Sequence, residues 1–374
     1  MNKEKLTHSR MQSFKLCRKK HYYEYEVGVR KEVTAKALRM GSAGHEGLDR
    51  FKKDGRADYA LGAVAHEYKN CPESISLWDW EIECQTVQTL VAGYCWYWEN
   101  QPLEIISSEE SFEFPLRNPA TAYASKSFNR AGKIDGIVKI AGRKLVLEHK
   151  FLGEDIAPGS SFWERLRLDQ QCTNYIHAAR ELGHDVRGVV YDLIRKPTIK
   201  PTLVPELDEE GKKVVLDADG NRVRRGSAST KKCKFCEGVD LNGGCSCKLS
   251  PWRQTGDTEK GYVVQARQMT PQEWSNRLIA DIGERPEWYF QRQEIARLDS
   301  EIEEFRKETW QVQLDIRNCQ RGDGSWYKTV NKGSCTYCSF FSLCVNKEEI
   351  DRQTQPIDYP EGFMKLQNVH PELG

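Results

Sequence analysis

The sequence predicts an α/β fold, in which a helical N-terminal region precedes a small mixed sheet flanked by helices. Three observations indicate this class. Apolar residues recur at helical spacing up to about residue 100, and residues 111–150 then alternate between apolar and polar positions as strands do. A further helical segment and an apolar strand follow, which completes an α/β order.

Four helices are expected in the N-terminal region. They cover about residues 6–17, with a cap region at Thr7 and Ser9, and about residues 35–51, 56–68 and 75–98. Strands are expected at residues 111–116, 132–140 and 144–150, and the tight turn Ala141-Gly142-Arg143 joins the last two as a hairpin. The remaining elements are a helix over 162–182, strands over 186–194 and 288–295, and a charged helix over 298–319.

The composition narrows the class of protein. Charged residues make up 30% of the 374 residues, and no apolar run is long enough for a membrane span. The first residues, Met1 to Leu6, lack the apolar stretch of a signal peptide, so a cytoplasmic location without a membrane partner is expected. In that compartment the 13 cysteines favour metal ligands and buried thiols over disulfides. The net charge of +1 neither indicates nor excludes a polyanionic partner.

Cysteines lie near both ends of the chain. Cys17 precedes a basic and aromatic run, and Cys335, Cys338 and Cys344 form a C-x2-C-x5-C pattern near the C-terminus. Four thiolates are the ligand set of an iron–sulfur cluster, and C-x2-C is a spacing that such ligands commonly show. Because closing so long a loop costs on the order of 5 kcal/mol, a cluster here would hold the whole fold together.

The predicted hairpin carries acidic and basic residues that can converge. Glu148 and Lys150 are two apart on one strand, so they project from the same face, and His149 projects from the other. With Asp135 on the partner strand, two carboxylates and an ammonium would meet at one end of the sheet. This set suits a magnesium site for phosphate chemistry. The alternative is a surface strand pair with ordinary charges.

An insertion is predicted at residues 196–261, within a single domain formed by residues 1–195 and 262–350 and followed by a C-terminal tail, 351–374. It contains Cys233, Cys236, Cys245 and Cys247, which either form a structural zinc site or remain free thiols. A dense basic run either contacts a polyanion such as a nucleic-acid backbone or is a solvated loop; it consists of Arg222, Arg224, Arg225, Lys231 and Lys232.

Together the motifs resemble those of the PD-(D/E)XK nucleases, in particular the RecB-like branch. The Pro-Asp step of that family is Ile134-Asp135 here, and its second half is Glu148-His149-Lys150. The segment from Met40 to Leu48 is similar to the Gly-Ser-x-x-His helix start of the family, with His45 as the histidine. Gln171 and Tyr175 match its Gln-x3-Tyr motif, although Gln170 directly precedes them.

The resemblance covers about residues 6–195 and 285–345, and it implies a restriction-endonuclease-like core. It implies that Asp135, Glu148 and His45 hold Mg²⁺ or Mn²⁺, that Lys150 assists the attacking water, and that Gln171 and Tyr175 orient the lysine and the substrate. The four terminal cysteines resemble those of the iron–sulfur subgroup, which includes AddB-type subunits and CRISPR-associated RecB-like exonucleases. A structural 4Fe–4S cluster is therefore implied. Arg18 stands where that subgroup often has proline, and a proline expected before the last cysteine group is absent.

The function that these features predict is a divalent-metal-dependent deoxyribonuclease, an exonuclease on single-stranded DNA or on duplex ends. Two alternatives remain open: a non-catalytic DNA-binding or assembly subunit that keeps the nuclease fold, and a zinc-and-thiol redox protein. The chain contains no G-x4-GK[ST] phosphate-binding loop, so any helicase would be a separate partner, as would a recombination or integration protein.

Overall fold

A computed structural model describes residues 3–216 and 263–373. Its contacts divide the chain into two compact units, one of Met1–Pro197 with Ile279–Gly374 and one of Thr198–Leu278. The run Asp217-Ala218-Asp219-Gly220-Asn221 also predicts a hairpin turn in the insertion, and these residues lie outside the described part of the chain.

The helices include the four that were predicted before residue 100, each confirmed within a few residues at either end. In chain order they are α1 (His8–Leu16), α2 (Arg18–His21), a π-helical turn (Tyr22–Val27), α3 (Lys36–Asp54), α4 (Ala57–Glu67), α5 (Leu77–Tyr97), α6 (Ser161–Leu166), α7 (Gln170–Glu181), α8 (Pro271–Glu284), α9 (Pro286–Tyr289), α10 (Asp299–Arg321), α11 (Lys332–Thr336) and α12 (Phe341–Val345). Among the described residues, none of these helices is long and apolar enough to span a membrane.

The strands of the described residues, again in chain order, are β1 (Glu4–Leu6), β2 (Val29–Lys31), β3 (Glu104–Arg117), β4 (Ala124–Ile140), β5 (Arg143–Leu152), β6 (Val186–Arg195), β7 (Leu203–Pro205), β8 (Val215–Leu216), β9 (Val263–Val264), β10 (Ala266–Gln268), β11 (Phe290–Ala296) and β12 (Phe363–Lys365). A six-stranded sheet joins β1, β4, β5, β6 and β11 in that order, and β3 pairs with β4 along its other edge. Because β5 and β6 are parallel and most other pairs are antiparallel, the predicted mixed sheet is confirmed.

The hairpin of β4 and β5 forms through a two-residue turn. Ala141 and Gly142 both have positive φ, at 49° and 80°, which is the backbone twist that matches two flanking strands. Pairing runs from Ile140 and Arg143 only as far as Gly136 and Leu147. Beyond that pair the two strands separate: β5 continues beside β6, and β4 continues beside β3. The sheet therefore opens into a fork directly after Gly136 and Leu147.

Four predicted elements are wrong in their extent. The strands expected over 111–116 and 132–140 begin earlier, at Glu104 and Ala124, because the pairing of β3 with β4 continues beyond the predicted starts. The single helix expected over 162–182 is broken into α6 and α7, because Asp169 leaves the helical conformation and caps α7 by accepting a hydrogen bond from the Gln171 N–H at 2.7 Å. The strand expected over 288–295 begins only at Phe290, since Pro286 starts the short helix α9 before it.

Helices pack on both sides of β5. A buried cluster that includes Ile134, Val146, Trp163 and Ile176 fills the space between the sheet and α6 and α7. On the other side α3 approaches β5 at Gly44, where an added Cβ would lie well under 3.0 Å from three ring atoms of Phe151. Only glycine permits so close an approach of the helix to the strand.

The C-terminal residues contact the N-terminal segment. Strand β12 pairs antiparallel with β2, and Phe363 belongs to a buried cluster with Tyr23, Phe340 and Leu343. Nearby, the Thr7 hydroxyl donates to Glu372 at 2.6 Å. The two ends of the chain are thus packed together within the first unit.

Candidate active site

The fork between β4 and β5 brings Asp135 and Glu148 together, since each is the next residue on its strand after the last paired residues. On β5 the His149 N–H donates to the side chain of Asp135 on β4, with 2.9 Å to Oδ2. The side chain of Glu148 is 5% exposed, and the Asp135 side chain is 23% exposed. The two carboxylates therefore lie at the inner end of an opening in the sheet.

Four of the predicted site residues form one hydrogen-bonded network. Lys150 Nζ donates to Glu148 Oε1 at 3.0 Å and to Gln171 Oε1 at 2.6 Å. The amide nitrogen of Gln171 donates to Glu148 Oε1 at 2.9 Å and contacts the Tyr175 hydroxyl at 3.1 Å. Gln171 and Tyr175 share a face of α7 because they are four residues apart. Of the two adjacent glutamines, Gln171 is the one in this network.

Helix α3 brings His45 to the same place. Its Nδ1 lies 3.4 Å from Asp135 Oδ2. Gly44, the residue before His45, lies against the ring of Phe151, and this close approach sets the distance between α3 and β5. All six predicted residues, His45, Asp135, Glu148, Lys150, Gln171 and Tyr175, are thus gathered around the fork.

The site holds its charges in a buried environment. Burial raises the pKa of Glu148 to about 7, against the opposing effect of Lys150. Burial would also raise the pKa of Asp135, but His45 and then His149 lower it well below its ordinary value. Burial disfavours the Lys150 ammonium, yet Glu148 outweighs that effect and raises the pKa of the lysine. The lysine is therefore a cation at neutral pH.

A divalent cation fits the donor atoms of the fork. No three His, Cys, Asp or Glu side chains in residues 3–216 and 263–373 are placed so that together they could hold a metal ion. However, Glu148 Oε2 is buried and has no hydrogen-bond partner among the described residues. Leaving such an atom unpaired costs about 1–3 kcal/mol, and a hard cation beside it would remove that cost. Asp135 and Glu148 would supply carboxylate oxygens, and His45 a ring nitrogen.

One residue of the site was missed by the sequence reasoning. Lys52 Nζ donates to the main-chain oxygen of Asp135 at 2.6 Å, on the part of β4 that faces the fork. Lys52 lies two helical turns after His45 on α3, a spacing that puts both on one face and would have identified it. By contrast, the acids on β3 are paired elsewhere, Glu109 with Lys133 at 2.6 Å and Glu110 with His184 at 2.9 Å.

The four terminal cysteines lie in one region of the first unit, where Cys338 is close to Cys17 and Cys344, but among the described residues no three of them are grouped as a metal site. The Thr329 N–H donates to Cys17 Sγ at 3.3 Å, and the Cys335 thiol is 3.9 Å from the main-chain oxygen of the same threonine. Burial raises the pKa of Cys344, and Lys328 partly offsets this increase. Cys17 and Cys335 are close enough to raise the pKa of Cys344 further. All four, including Cys338, are half-buried.

The second predicted group of cysteines, at positions 233, 236, 245 and 247, lies outside the described residues. The basic run of the insertion, at positions 222, 224, 225, 231 and 232, lies there too.

The chain matches one family model over residues 5–345, and the description of that model is the PD-(D/E)XK nuclease superfamily. No curated protein matches the chain. The matched range includes the fork, α7 and the terminal cysteines.

Proposed function

The chain belongs to the PD-(D/E)XK nuclease superfamily, which implies phosphodiester hydrolysis, and on this premise we propose that it is a Mg²⁺- or Mn²⁺-dependent deoxyribonuclease. The single observation that supports the proposal best is the ion pair of Lys150 with the buried Glu148, 3.0 Å apart, in which the second oxygen of Glu148 has no hydrogen-bond partner among the described residues. An unpartnered carboxylate oxygen in a buried position suits a cation-binding role.

Each residue then has a defined role. When bound, the cation polarises a phosphoryl oxygen and lowers the pKa of a coordinated water. Asp135, Glu148 and His45 would hold the cation, and Lys150 would orient the attacking water. Gln171 holds Lys150 against Glu148, and Tyr175 holds Gln171. The water oxygen forms a new bond to phosphorus, one P–O ester bond breaks, and the departing oxygen takes a proton.

The proposed substrate is single-stranded DNA or the ends of duplex DNA, degraded by exonuclease action. This part rests on the resemblance of the motifs to the RecB-like branch. The basic run of the insertion is proposed as a contact to the DNA backbone, and its four cysteines as a structural zinc site. A helicase, recombination or integration protein is the proposed partner that delivers the substrate.

Cys17, Cys335, Cys338 and Cys344 are proposed to bind a structural 4Fe–4S cluster. Their proximity and the Thr329 N–H that donates to Cys17 support this, because clusters are commonly stabilised by hydrogen bonds to their sulfur ligands. Such a cluster would tie the end of α1 to the C-terminal segment.

The test is cleavage of 5′- and 3′-labelled single strands and duplexes with Mg²⁺, Mn²⁺ or EDTA, using anaerobically purified full-length protein. We expect metal-dependent fragments from the wild type and none above background from Lys150→Ala. If both proteins are equally inactive while iron and DNA binding are retained, a non-catalytic DNA-binding subunit replaces the nuclease.

A further inference from the structure

A row of polar side chains crosses the sheet behind the active site. His149 points away from Glu148 and Lys150, because neighbouring residues of a strand face opposite sides. The register pairs His149 of β5 with Asp192 of β6, and Asp192 with Arg292 of β11. Three adjacent strands thus contribute one member each, and Asp135 of β4 lies at the end of the row, beside His149.

Contacts within the row are close and buried. Asp192 Oδ2 accepts hydrogen bonds from Arg292 Nη2 at 2.7 Å and Nε at 3.1 Å. The same oxygen accepts from the hydroxyl of Tyr94, on α5, at 2.6 Å. Asp192 is fully buried, and its other oxygen, Oδ1, has no partner among the described residues.

His149 lies between the two carboxylates. Its Nε2 is 3.5 Å from the Tyr94 hydroxyl and 3.8 Å from Asp192 Oδ2, and its Nδ1 is 3.9 Å from Asp135 Oδ2. The ring is 2% exposed, so the row has little freedom to move. The main chain of the same residue makes the 2.9 Å hydrogen bond to Asp135 Oδ2.

We propose that this row positions the Asp135 carboxylate for cation binding, with Tyr94, Asp192 and Arg292 acting through His149. A buried ion pair contributes little net stability compared with apolar residues of the same shape, so its position directly behind a metal ligand favours a positioning role. The His149 ring acts on Asp135 by packing and not by a hydrogen bond, because its Nδ1 lies 3.9 Å from Asp135 Oδ2. Loss of outer-shell groups that fix the orientation of a ligand typically lowers metal affinity 10- to 100-fold. This inference rests on the proposed nuclease function.

The chain contains a matched control. Tyr68, Glu83 and Arg39 form the same kind of buried group away from the fork, with the Tyr68 hydroxyl 3.0 Å and Arg39 Nη2 2.8 Å from the Glu83 carboxylate. Tyr68→Phe removes the same type of hydrogen bond as Tyr94→Phe. If the role of Tyr94 is purely structural, Tyr94→Phe and Tyr68→Phe should therefore have the same effect on thermal stability and on Mn²⁺ affinity.

The experiment is a titration of full-length protein with Mn²⁺, in which the EPR signal of free Mn²⁺ reports binding directly, together with the Mn²⁺ concentration for half-maximal cleavage. For His149→Leu we expect Mn²⁺ affinity to fall 10- to 100-fold, and for Tyr94→Phe to fall severalfold. Tyr68→Phe should bind like the wild type, and thermal unfolding of each variant checks that it is folded.

If Tyr94→Phe and Tyr68→Phe lose similar thermal stability and both bind Mn²⁺ like the wild type, the positioning role is overturned, even where His149→Leu fails to fold. If the wild type binds no more Mn²⁺ than Asp135→Asn does, the proposed metal site itself fails, and the positioning role falls with it. The two failures are therefore distinguishable.

Discussion

Gly44→Ala tests the packing that sets the position of His45 in the site. The new Cβ would lie well under 3.0 Å from three ring atoms of Phe151, a side chain that is only 8% exposed. Overpacking of this kind costs about 1–3 kcal/mol, although alanine gains about 0.5–1 kcal/mol over glycine inside a helix. The variant should therefore unfold at a lower temperature than the wild type.

Gly41→Ala, in the same helix, is the matched control. A Cβ at this position has no atom within 4 Å, so it causes no clash. Alanine lowers the conformational entropy of the unfolded chain, which should stabilise the folded protein by about 0.4–1 kcal/mol. We expect its melting temperature to equal or exceed that of the wild type, by differential scanning fluorimetry of both variants.

The same two variants test whether this packing also affects cleavage. Gly44→Ala should also reduce metal-dependent cleavage, since His45 moves with the helix, whereas Gly41→Ala should cleave like the wild type. Phe151→Leu in the Gly44→Ala background should restore part of the lost stability, because it removes the clashing ring atoms. Equal melting temperatures and equal activities for the two glycine variants would refute the close approach of α3 to β5.

Three further predictions address the network, the cysteines and the pH dependence of stability. Gln171→Ala removes hydrogen bonds to two charged groups, Lys150 and Glu148, so the cleavage rate should fall about 10- to 100-fold. The neighbouring Gln170 contacts Lys15 and Glu308 instead, so Gln170→Ala should cleave like the wild type. Equal cleavage rates for the two variants would argue against the network. Cys17→Ser should lose iron and melt at a lower temperature than the wild type. Cys71 is also half-buried, and Cys71→Ala should keep its iron. An iron-loaded Cys17→Ser protein would show that Cys17 is not a ligand of the cluster. Burial, and then Arg130, lower the pKa of His177 to about 3, below its ordinary value of 6.5. Between pH 6.5 and pH 3 the unfolded chain therefore binds more protons than the folded protein, so the free energy of unfolding should fall as the pH drops through this range. His177→Gln should show a smaller drop in melting temperature between pH 7.5 and pH 5 than the wild type, and an identical drop would contradict this.

Much of the site follows from local sequence patterns. The two-residue period of a strand places Glu148 and Lys150 on one face, and the turn at Ala141 and Gly142 fixes the register that brings Asp135 opposite. The spacing of Gln171 and Tyr175 on a helix is equally local. These relations depend on residues near one another in the chain, so the sequence alone could predict them.

Other features depend on distant parts of the chain. The pairing of Asp192 with Arg292 requires the register between β6 and β11, which no local pattern contains. The aspartate at position 192, inside the apolar run 189–194 of β6, was the signal of a buried polar partner. The break between α6 and α7 was missed because apolar spacing continues through it, and the cap at Asp169 outweighs that pattern.

The most direct test of the central claim is the manganese anomalous signal of a crystal of the wild-type protein soaked in Mn²⁺. The account predicts one or two peaks in the fork between β4 and β5, with ligand distances to the Asp135 carboxylate and to the Oε2 atom of Glu148. A structure in which manganese binds only elsewhere, or in which the two carboxylates are too far apart to share an ion, would contradict it.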